Sequence, residues 1–326
     1  MLPSFGYVRP STLPEAIKAL SRPDARVHAG GTDLLGCLRD GVFSATTVVS
    51  LSGLADLKGI GATREGGLRI GALATLAEVA KSPEVVSRYP ALAQGAAAAA
   101  SPQLRNQGTL GGNLCQRPRC WYFRGEFDCA RKNGEFCYAE NGENRYHAIF
   151  GGSGCFIVHP SDTAPALVAL EAVATIAGPK GTRKVPLSKF FVLPAVDHKH
   201  ETVLAPGEIL VEVLLPKPAA GSRGSYRKLR SRGAWDFALA GIASSLVVEG
   251  GKVRSARLVL SGVAPVPWRV PEAEKAITGK ALDAATARTA AEAAEAAVRG
   301  ATPLSLNGWK VDAVKGVVEE ALLALG

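Results

Sequence analysis

Five of the six cysteines in this 326-residue chain lie in one polar stretch, and they are Cys115, Cys120, Cys129, Cys137 and Cys155. The intervals between them hold four, eight, seven and seventeen residues. Structural zinc sites usually pair their cysteines across two to four residues, and only the first interval fits that spacing. Wide, irregular intervals are more typical of an iron–sulfur cluster held by a folded loop. The pattern therefore predicts a metal centre, with a zinc clamp or buried free thiols as the alternatives.

Two glycine motifs accompany the cysteines. Gly30-Gly31-Thr32 follows a predicted strand at residues 25–29, and residues 108–113 end just before Cys115. Glycines let backbone N–H groups approach a phosphate closely. Neither motif is a G-x-G-x-x-G fingerprint or a P-loop, and each could be only a tight turn, with Asp33 as a helix cap. Because two such motifs occur together, they favour a dinucleotide site.

Composition indicates a globular protein with a large core. Hydrophobic residues make up 47% of the chain, and the net charge is 38 − 29 = +9 without a long basic run. No nucleic-acid-binding signature is present. The first residues have no basic and apolar segments of a signal peptide, and the longest apolar run is too short to cross a bilayer. We therefore expect no nucleic-acid partner, no membrane span and no export signal in this chain.

The order of predicted elements is irregular, which favours a mixed α+β fold over a doubly wound parallel sheet. Pro, Gly and Ala near position 220 suggest a boundary between domains at 1–220 and 221–326. We expect a helix over 85–100, a buried strand over 155–159 and a helix over 282–299. Asp162 is predicted to cap a helix, and the C-terminal helix at 309–325 to offer an apolar face for docking.

Together the motifs resemble a known family. They are Ala29-Gly30-Gly31-Thr32-Asp33-Leu34, Ile70-Gly71-Ala72, Thr109-Leu110-Gly111-Gly112-Asn113-Leu114 and Tyr226-Arg227-Lys228-Leu229-Arg230. This combination is similar to the FAD-binding medium subunits of the xanthine dehydrogenase family of molybdenum hydroxylases, over nearly the whole chain. The resemblance implies a two-part FAD domain of the vanillyl-alcohol-oxidase (PCMH) type and a smaller C-terminal domain like that of CO dehydrogenase flavoproteins.

The cysteine loop, at about 115–155, resembles an insertion found in only some members of that family. It looks like the loop that carries a [4Fe-4S] cluster in 4-hydroxybenzoyl-CoA reductase and in bacterial periplasmic aldehyde oxidoreductase, and the run from Asn113 to Phe123 is nearer to the aldehyde-oxidising branch. Carried over by position, the metal ligands are Cys120, Cys129, Cys137 and Cys155, with Cys115 as the spare.

The resemblance also implies FAD contacts. Residues 27–34 and 109–113 would wrap the pyrophosphate, Asp162 would hold the ribose or adenine side, Leu210 would pack on the ring system and Lys228 would lie near the flavin. The implied cofactor residues are Val27, His28, Ala29, Gly30, Gly31, Thr32, Asp33, Leu34, Thr109, Leu110, Gly111, Gly112, Asn113, Asp162, Leu210 and Lys228.

The function implied by the resemblance is electron transfer within an aldehyde oxidoreductase. A large molybdenum-cofactor subunit would oxidise the aldehyde, a small [2Fe-2S] subunit would relay electrons, and this chain would pass them through FAD to an external acceptor. The alternatives are a 4-hydroxybenzoyl-CoA reductase-like subunit and a non-catalytic, zinc-stabilised interaction subunit. The compartment would be periplasmic if a twin-arginine partner exports the complex, and cytoplasmic otherwise.

Overall fold

The computed structural model describes residues 1–281 and 286–325. Within these ranges, strands form three sheets and helices pack against them. This arrangement confirms the predicted α+β class. None of the described helices is both long and apolar enough to cross a lipid bilayer.

The first sheet is parallel, with strand order β1, β3, β2. Its strands are β1 (Gly6–Val8), β2 (Ala25–His28) and β3 (Thr47–Ser50), and the connecting helices are α1 (Leu13–Leu20) and α2 (Leu34–Arg39). Thr12 caps α1, since its hydroxyl accepts a hydrogen bond from the Glu15 N–H. Because β2 ends directly before the first glycine motif, this sheet sets the position of that motif.

The second sheet is antiparallel, with strand order β4, β5, β8, β6, β7. Its strands are β4 (Ile60–Ala62), β5 (Leu68–Gly71), β6 (Val173–Gly178), β7 (Gly181–Pro186) and β8 (Ile209–Leu215). The helices of this part are α3 (Leu76–Lys81), α4 (Pro83–Arg88), α5 (Pro90–Ala98), α6 (Pro102–Gln107), α7 (Leu110–Leu114), α8 (Trp121–Arg124) and α9 (Thr163–Ala169). The expected single helix over 85–100 is wrong: it is split at Tyr89, because Pro90 disfavours helical backbone in the residue before it.

The third sheet is also antiparallel, with strand order β12, β11, β10, β9. Its elements are β9 (Ser222–Leu229), β10 (Ala240–Glu249), β11 (Lys252–Ser261), β12 (Trp268–Arg269), α10 (Pro271–Ile277), α11 (Thr286–Ala297) and α12 (Trp309–Leu323). Alternate residues face two cores: Ile242 and Leu258 join the C-terminal helices, whereas Ala243 and Val259 join the large core with α5 and α9. This sheet is therefore buried on both faces, and it contributes residues both to the large core and to the core of the C-terminal helices.

Two expectations about the C-terminal helices have different outcomes. Of the helix predicted over 282–299, residues 282–285 lie outside the described residues, and α11 is the described part. The apolar face of α12 is not available for docking, because Val314, Val318 and Leu322 are buried in the C-terminal core.

The cysteine loop fills the chain between α7 and α9. The strand predicted over 155–159 is wrong: the segment has no strand pairing, and its backbone is held by isolated bonds from the Ala148 N–H to the Phe156 carbonyl and from the His159 N–H to the Ala264 carbonyl. Cys155, Ile157 and His159 are buried and Phe156 and Val158 are half-buried, but none of them lies in a ladder. Burial without a ladder explains why the composition of this segment was misleading.

Candidate functional site

The first glycine motif leaves its backbone N–H groups free. Gly30, Gly31 and Thr32 lie between β2 and α2, and no hydrogen bond among the described residues engages their N–H groups. Gly31 has a left-handed φ of +71°, and a Cβ on Gly30 would come within 2.0 Å of the Gln107 carbonyl oxygen. Glycine is required here by the backbone conformation at Gly31 and by the close approach of the backbone of Gln107 and Gly108 to Gly30. The motif therefore presents unpaired donors suited to a phosphate.

The second motif is built differently. The N–H groups of Leu110 and Gly111 donate to the carbonyls of Ala74 and Ala72, and the Thr109 hydroxyl accepts from the Gly112 N–H at 3.1 Å. These N–H groups are already paired, so the expectation of bare donors holds for the first motif only. At Gly112 the second motif has no side chain, so a ligand in the cavity can approach its backbone closely. An added Cβ there would meet only the Thr109 hydroxyl.

Two cavities adjoin at the glycine motifs. The first, of about 300 Å³, is bounded by Val27, Gly30 and Leu210, and the second, of about 280 Å³, by Asp162 and Trp235. The residues common to both walls are Thr32, Asp33, Thr109, Gly112 and Gln116. A dinucleotide has two ring systems joined by a pyrophosphate, and the shared glycine wall lies where a pyrophosphate would pass from one cavity to the other.

Most predicted cofactor residues line these cavities. The first is lined by Val27, Ala29, Gly30, Gly31, Thr32, Asp33, Leu34, Thr109, Gly111, Gly112 and Leu210. Asn113 and Asp162 line the second. His28, Leu110 and Lys228 lie behind the walls: His28 packs under Gly31, Leu110 is fully buried in the core, and Lys228 pairs with Asp162. A direct cofactor contact by these three residues stays a prediction.

Asp33 anchors the cysteine loop to the first motif. Its carboxylate accepts hydrogen bonds from the Arg117 backbone N–H at 2.7 Å, from Arg124 Nη2 at 2.7 Å and from Arg119. Burial alone would raise the pKa of Asp33, but Arg119 and Arg124 outweigh it and hold the pKa below its ordinary value. Asp33 makes no side-chain cap to α2, so its role is to fix the loop beside the cavities.

A buried polar group closes the far side of the second cavity. The Asp162 carboxylate accepts from Lys228 Nζ at 2.8 Å and from the Tyr226 hydroxyl at 2.7 Å. Burial raises the pKa of Asp162, although Lys228 opposes this shift. Asp162 occupies the N-cap position of α9, as predicted, but its side chain makes no cap: the Ser161 hydroxyl accepts from the Ala164 N–H instead, and the Asp162 carboxylate reaches Lys228.

Four of the six free cysteines line one small cavity, here called the cysteine cavity. They are Cys120, Cys129, Cys137 and Cys155, the four that the resemblance assigns as ligands. Cys115 lines the first cavity instead, and Cys37 is buried behind Cys129 and Phe123. No group of three His, Cys, Asp or Glu side chains within the described ranges is arranged to hold a metal ion.

The environments of the thiols differ. Burial raises the pKa of Cys115 to about 12, so this residue remains a neutral thiol. The pKa of Cys155 lies well below its usual range, because Cys137 donates its S–H to it and the Arg131 guanidinium lies beside it. His147 Nε2 lies 3.2 Å from the Cys120 sulfur, and burial lowers the pKa of His147 to about 4. A thiolate is therefore favoured at Cys155, whereas burial raises the pKa of Cys120 to about 11 and the hydrogen bond with Cys155 raises the pKa of Cys137.

Comparison with known proteins identifies the family. A family model described as the FAD binding domain in molybdopterin dehydrogenase matches residues 3–218, and one described as the CO dehydrogenase flavoprotein C-terminal domain matches residues 224–325. The chain is an FAD-binding subunit of the molybdenum hydroxylase family. FAD is therefore a cofactor of this protein, which is part of an oxidoreductase. Neither description names an iron–sulfur cluster.

Individual relatives agree with this family. The chain is 40% identical over 276 residues to the aldehyde oxidoreductase FAD-binding subunit PaoB of Escherichia coli K12, covering 83% of this chain and 85% of that one. It is 30% identical over 328 residues to the carbon monoxide dehydrogenase medium chain of Hydrogenophaga pseudoflava, covering 99% and 97%. A solved carbon monoxide dehydrogenase structure from that organism has a TM-score of 0.78 at 28% identity, with 100% of this chain and 98% of the other covered.

Sequence reasoning missed several residues of the flavoprotein's cavities. Trp235 and Phe237 come from the turn between β9 and β10, and Glu201 from the stretch before β8. The only signal in the sequence is the pair of aromatic residues on either side of Asp236, which carries no periodic pattern. Trp235 also has a left-handed φ of 53°, a conformation that sequence does not reveal for a tryptophan.

Proposed function

We propose that this chain is the FAD and [4Fe-4S] electron-transfer subunit of a molybdenum-dependent aldehyde oxidoreductase. The observation that carries the proposal is the close association of two cofactor-type sites, the paired cavities at the glycine motifs and the cysteine cavity beside them. The relative at 40% identity is an aldehyde oxidoreductase subunit, and this supports an aldehyde as the substrate of the assembly.

FAD fits the paired cavities. The free N–H groups of Gly30, Gly31 and Thr32 are donors for its pyrophosphate, and Gly112 removes steric hindrance on the opposite side. One ring system would occupy each cavity, with Leu210 on an apolar wall of the first and Trp235 in the second. Bound FAD supplies two-electron and one-electron transfer, and the chain's own residues hold and shield it.

The four thiols that line the cysteine cavity, a space of about 10 Å³, are the donor set that a [4Fe-4S] cluster takes. Such a cluster takes four thiolates on four separate irons, so its ligands need not meet around one ion. The Arg131 side chain, which is 1% exposed, also lines this cavity, and its Nε and Nη2 atoms have no hydrogen-bond partner in the described structure. Unpaired buried donors are costly unless an acceptor completes them. The sulfur atoms of an anionic cluster would be that acceptor, at Cys120, Cys129, Cys137 and Cys155.

The remaining parts of the function lie outside this chain. A large molybdenum-cofactor subunit would oxidise the aldehyde, a small [2Fe-2S] subunit would relay the electrons, and an external acceptor would receive them from FAD. The compartment would follow the partners, and would be the periplasm if one of them carries a twin-arginine signal.

The cluster is tested by metal analysis of matched cysteine variants. The wild-type chain should contain about four irons and as much acid-labile sulfide, the composition of a four-thiolate cluster. Cys120→Ser and Cys137→Ser should lose most of both, because cluster binding and loop folding are coupled. Cys115→Ser is the control and should keep its iron, since Cys115 lines the first cavity.

Three results would contradict the assignment. Iron loss in Cys115→Ser together with full iron in Cys155→Ser would show that the ligand set is wrong. A colourless protein with one zinc and no sulfide would support the zinc-stabilised interaction subunit instead. An assembly that reduces 4-hydroxybenzoyl-CoA and leaves aldehydes unchanged would assign the chain to the reductase branch.

A further inference from the structure

A buried ion pair begins in the cysteine cavity. Arg131 Nη1 donates to Glu201 Oε1 at 2.5 Å, and the two side chains are 1% and 6% exposed. The rest of the Arg131 guanidinium lies beside Cys155 with two unpaired nitrogens. Arg131 is therefore a fixed positive charge on the wall of the cysteine cavity, and its carboxylate partner lies behind it.

The same carboxylate reaches the first cofactor cavity. Glu201 Oε2 lies 2.8 Å from Arg117 Nε, and both Glu201 and Arg117 line the first cavity. Arg117 is held in place by its backbone N–H bond to Asp33 and by a bond from its Nη2 to the Lys199 carbonyl. Arg131, Glu201 and Arg117 thus form a continuous chain of charges, here called the ion-pair bridge, from one cavity to the other.

Burial makes the Arg131–Glu201 half of the ion-pair bridge electrostatically effective, while the Arg117 side chain at the other end is 25% exposed. Charges in the protein interior are screened far less than surface charges, so adding or removing one is felt over several ångströms. Stability is a weak explanation for such a group, because the desolvation of buried ions offsets much of their attraction. The bridge carries one negative and two positive charges, and Glu201 is the only member that contacts both others.

We propose that the ion-pair bridge couples the two redox sites, with Glu201 as the positioning residue that sets the charge felt by both. This inference rests on the proposed function, since it assumes a cluster in the cysteine cavity. Through Arg131 the Glu201 charge opposes reduction of the cluster, and through Arg117 it limits the positive charge available to the FAD diphosphate. A change at either end of the bridge is then felt at the other.

The first test is Glu201→Gln in the full chain, a substitution that keeps the shape and removes the charge. The cluster should become easier to reduce, with about a tenfold higher reduced-to-oxidised ratio at a fixed potential, or about 59 mV for a one-electron couple. FAD release should slow, because the Arg117 charge is no longer neutralised. The cluster potential is measured by a redox titration that electron paramagnetic resonance monitors. FAD release is measured as the rate at which FAD fluorescence appears after dilution.

Glu208→Gln is the matched control. Glu208 lines the same cavity but pairs with Arg183 and has no contact with Arg131. Glu208→Gln removes one negative charge from the first cavity, as Glu201→Gln does, but leaves the ion-pair bridge intact. The cluster potential should therefore stay at the wild-type value. An unchanged cluster potential in an iron-replete Glu201→Gln protein would overturn the coupling, as would an equal shift in Glu208→Gln.

Arg131→Gln tests the bridge from the other end. Arg131 lines the cysteine cavity and not the first cavity, so a local role would leave FAD release unchanged. The bridge predicts faster FAD release, because Glu201 then neutralises Arg117 alone, and Arg131→Lys should restore the wild-type rate. If Glu201→Gln loses its iron, the comparison of Arg131→Gln with Arg131→Lys decides the question. Equal rates of FAD release in these two variants overturn the proposal. Absence of iron from the wild-type chain would instead refute the cluster itself.

Discussion

Gly112 lies in the wall that the two cofactor cavities share, and its position favours function over packing. An added Cβ would meet only the Thr109 hydroxyl, at 3.0 Å, so that hydroxyl would have to shift by a few tenths of an ångström and no backbone atom is in the way. A branched side chain would project into the path predicted for the FAD pyrophosphate. Gly112→Val should therefore purify with little FAD, at least about tenfold below wild type, a loss worth about 1.4 kcal/mol of binding.

Flavin and iron contents of the purified protein check this prediction. The iron content should stay at the wild-type level, because the cysteine cavity does not include Gly112. Gly36→Val in α2 is the control and should retain FAD, since apart from its chain neighbours and its own helix backbone no atom lies within 4 Å of its Cβ position. Full FAD occupancy in Gly112→Val would mean that the motif is only a turn.

Lys310 is expected to make the stability of the fold depend on pH. Its side chain is almost fully buried, and Nζ donates to the carbonyls of Tyr146 at 2.9 Å and Gly262 at 2.6 Å. Burial lowers the pKa of Lys310 to about 7, from an ordinary value of 10.5. A neutral amine still has two N–H donors, so both carbonyls stay paired after the proton leaves.

The sign of the effect follows from proton binding. Between pH 7 and pH 10.5 the unfolded chain holds a proton on Lys310 that the folded chain has lost, so this residue makes folding more favourable as the pH rises. Below pH 7 the cost of burying the ammonium is fully present. The free energy of unfolding of wild type, relative to Lys310→Met, should rise by a few kcal/mol from pH 7 to pH 10. Urea unfolding of both proteins measures it, and a constant difference would refute the assignment.

At the scale of elements, the segment before α12 clamps the end of the cysteine loop. Asn307 is fully buried, and its Nδ2 donates to the carbonyls of His147 at 3.1 Å and Ala148 at 3.2 Å. The Leu306 N–H donates to Asn144 Oδ1 in the same contact. The C-terminal part of the chain therefore holds the end of the cysteine loop. Three of the four proposed ligands precede this contact in the sequence.

Asn307→Ala should loosen this clamp. It leaves buried carbonyls without donors, and we expect a loss of about 1–3 kcal/mol in the free energy of unfolding together with faster iron release to a chelator. Asn141→Ala in the exposed part of the same loop is the control and should change neither. Wild-type iron release in Asn307→Ala would show that the loop holds its shape without the C-terminal segment.

At the scale of the whole molecule, the prediction concerns assembly. Co-expressed with a molybdenum-cofactor subunit and a [2Fe-2S] subunit, the chain should elute as one complex that oxidises aldehydes, because electron transfer between subunits needs close cofactors. Obligate complexes of this kind commonly bury more than about 2,000 Å². Size-exclusion chromatography with an aldehyde assay checks this. A chain that elutes alone and reduces an acceptor from NADH without partners would be a free-standing flavin reductase instead.

The sequence by itself determined the chemistry available and much of the local structure. Glycine and cysteine are distinctive because few other residues replace them, so the motifs at 29–34 and 108–113 and the clustered thiols were visible without coordinates. The Thr12 cap and the α+β class also follow from local patterns. The resemblance added the four proposed ligands, and the structure brings these four cysteines to one cavity.

The tertiary structure decided which groups meet. That Asp33 binds arginines of the cysteine loop, that the Ser161 hydroxyl rather than the Asp162 carboxylate caps α9, and that Arg131 pairs with Glu201 across 70 residues of sequence could not be predicted. Such contacts join irregular loops, where no periodicity relates one residue to its partner. The apolar run at 155–159 shows the same limit, because composition reports burial, whereas a strand also needs a neighbour with free backbone groups in register.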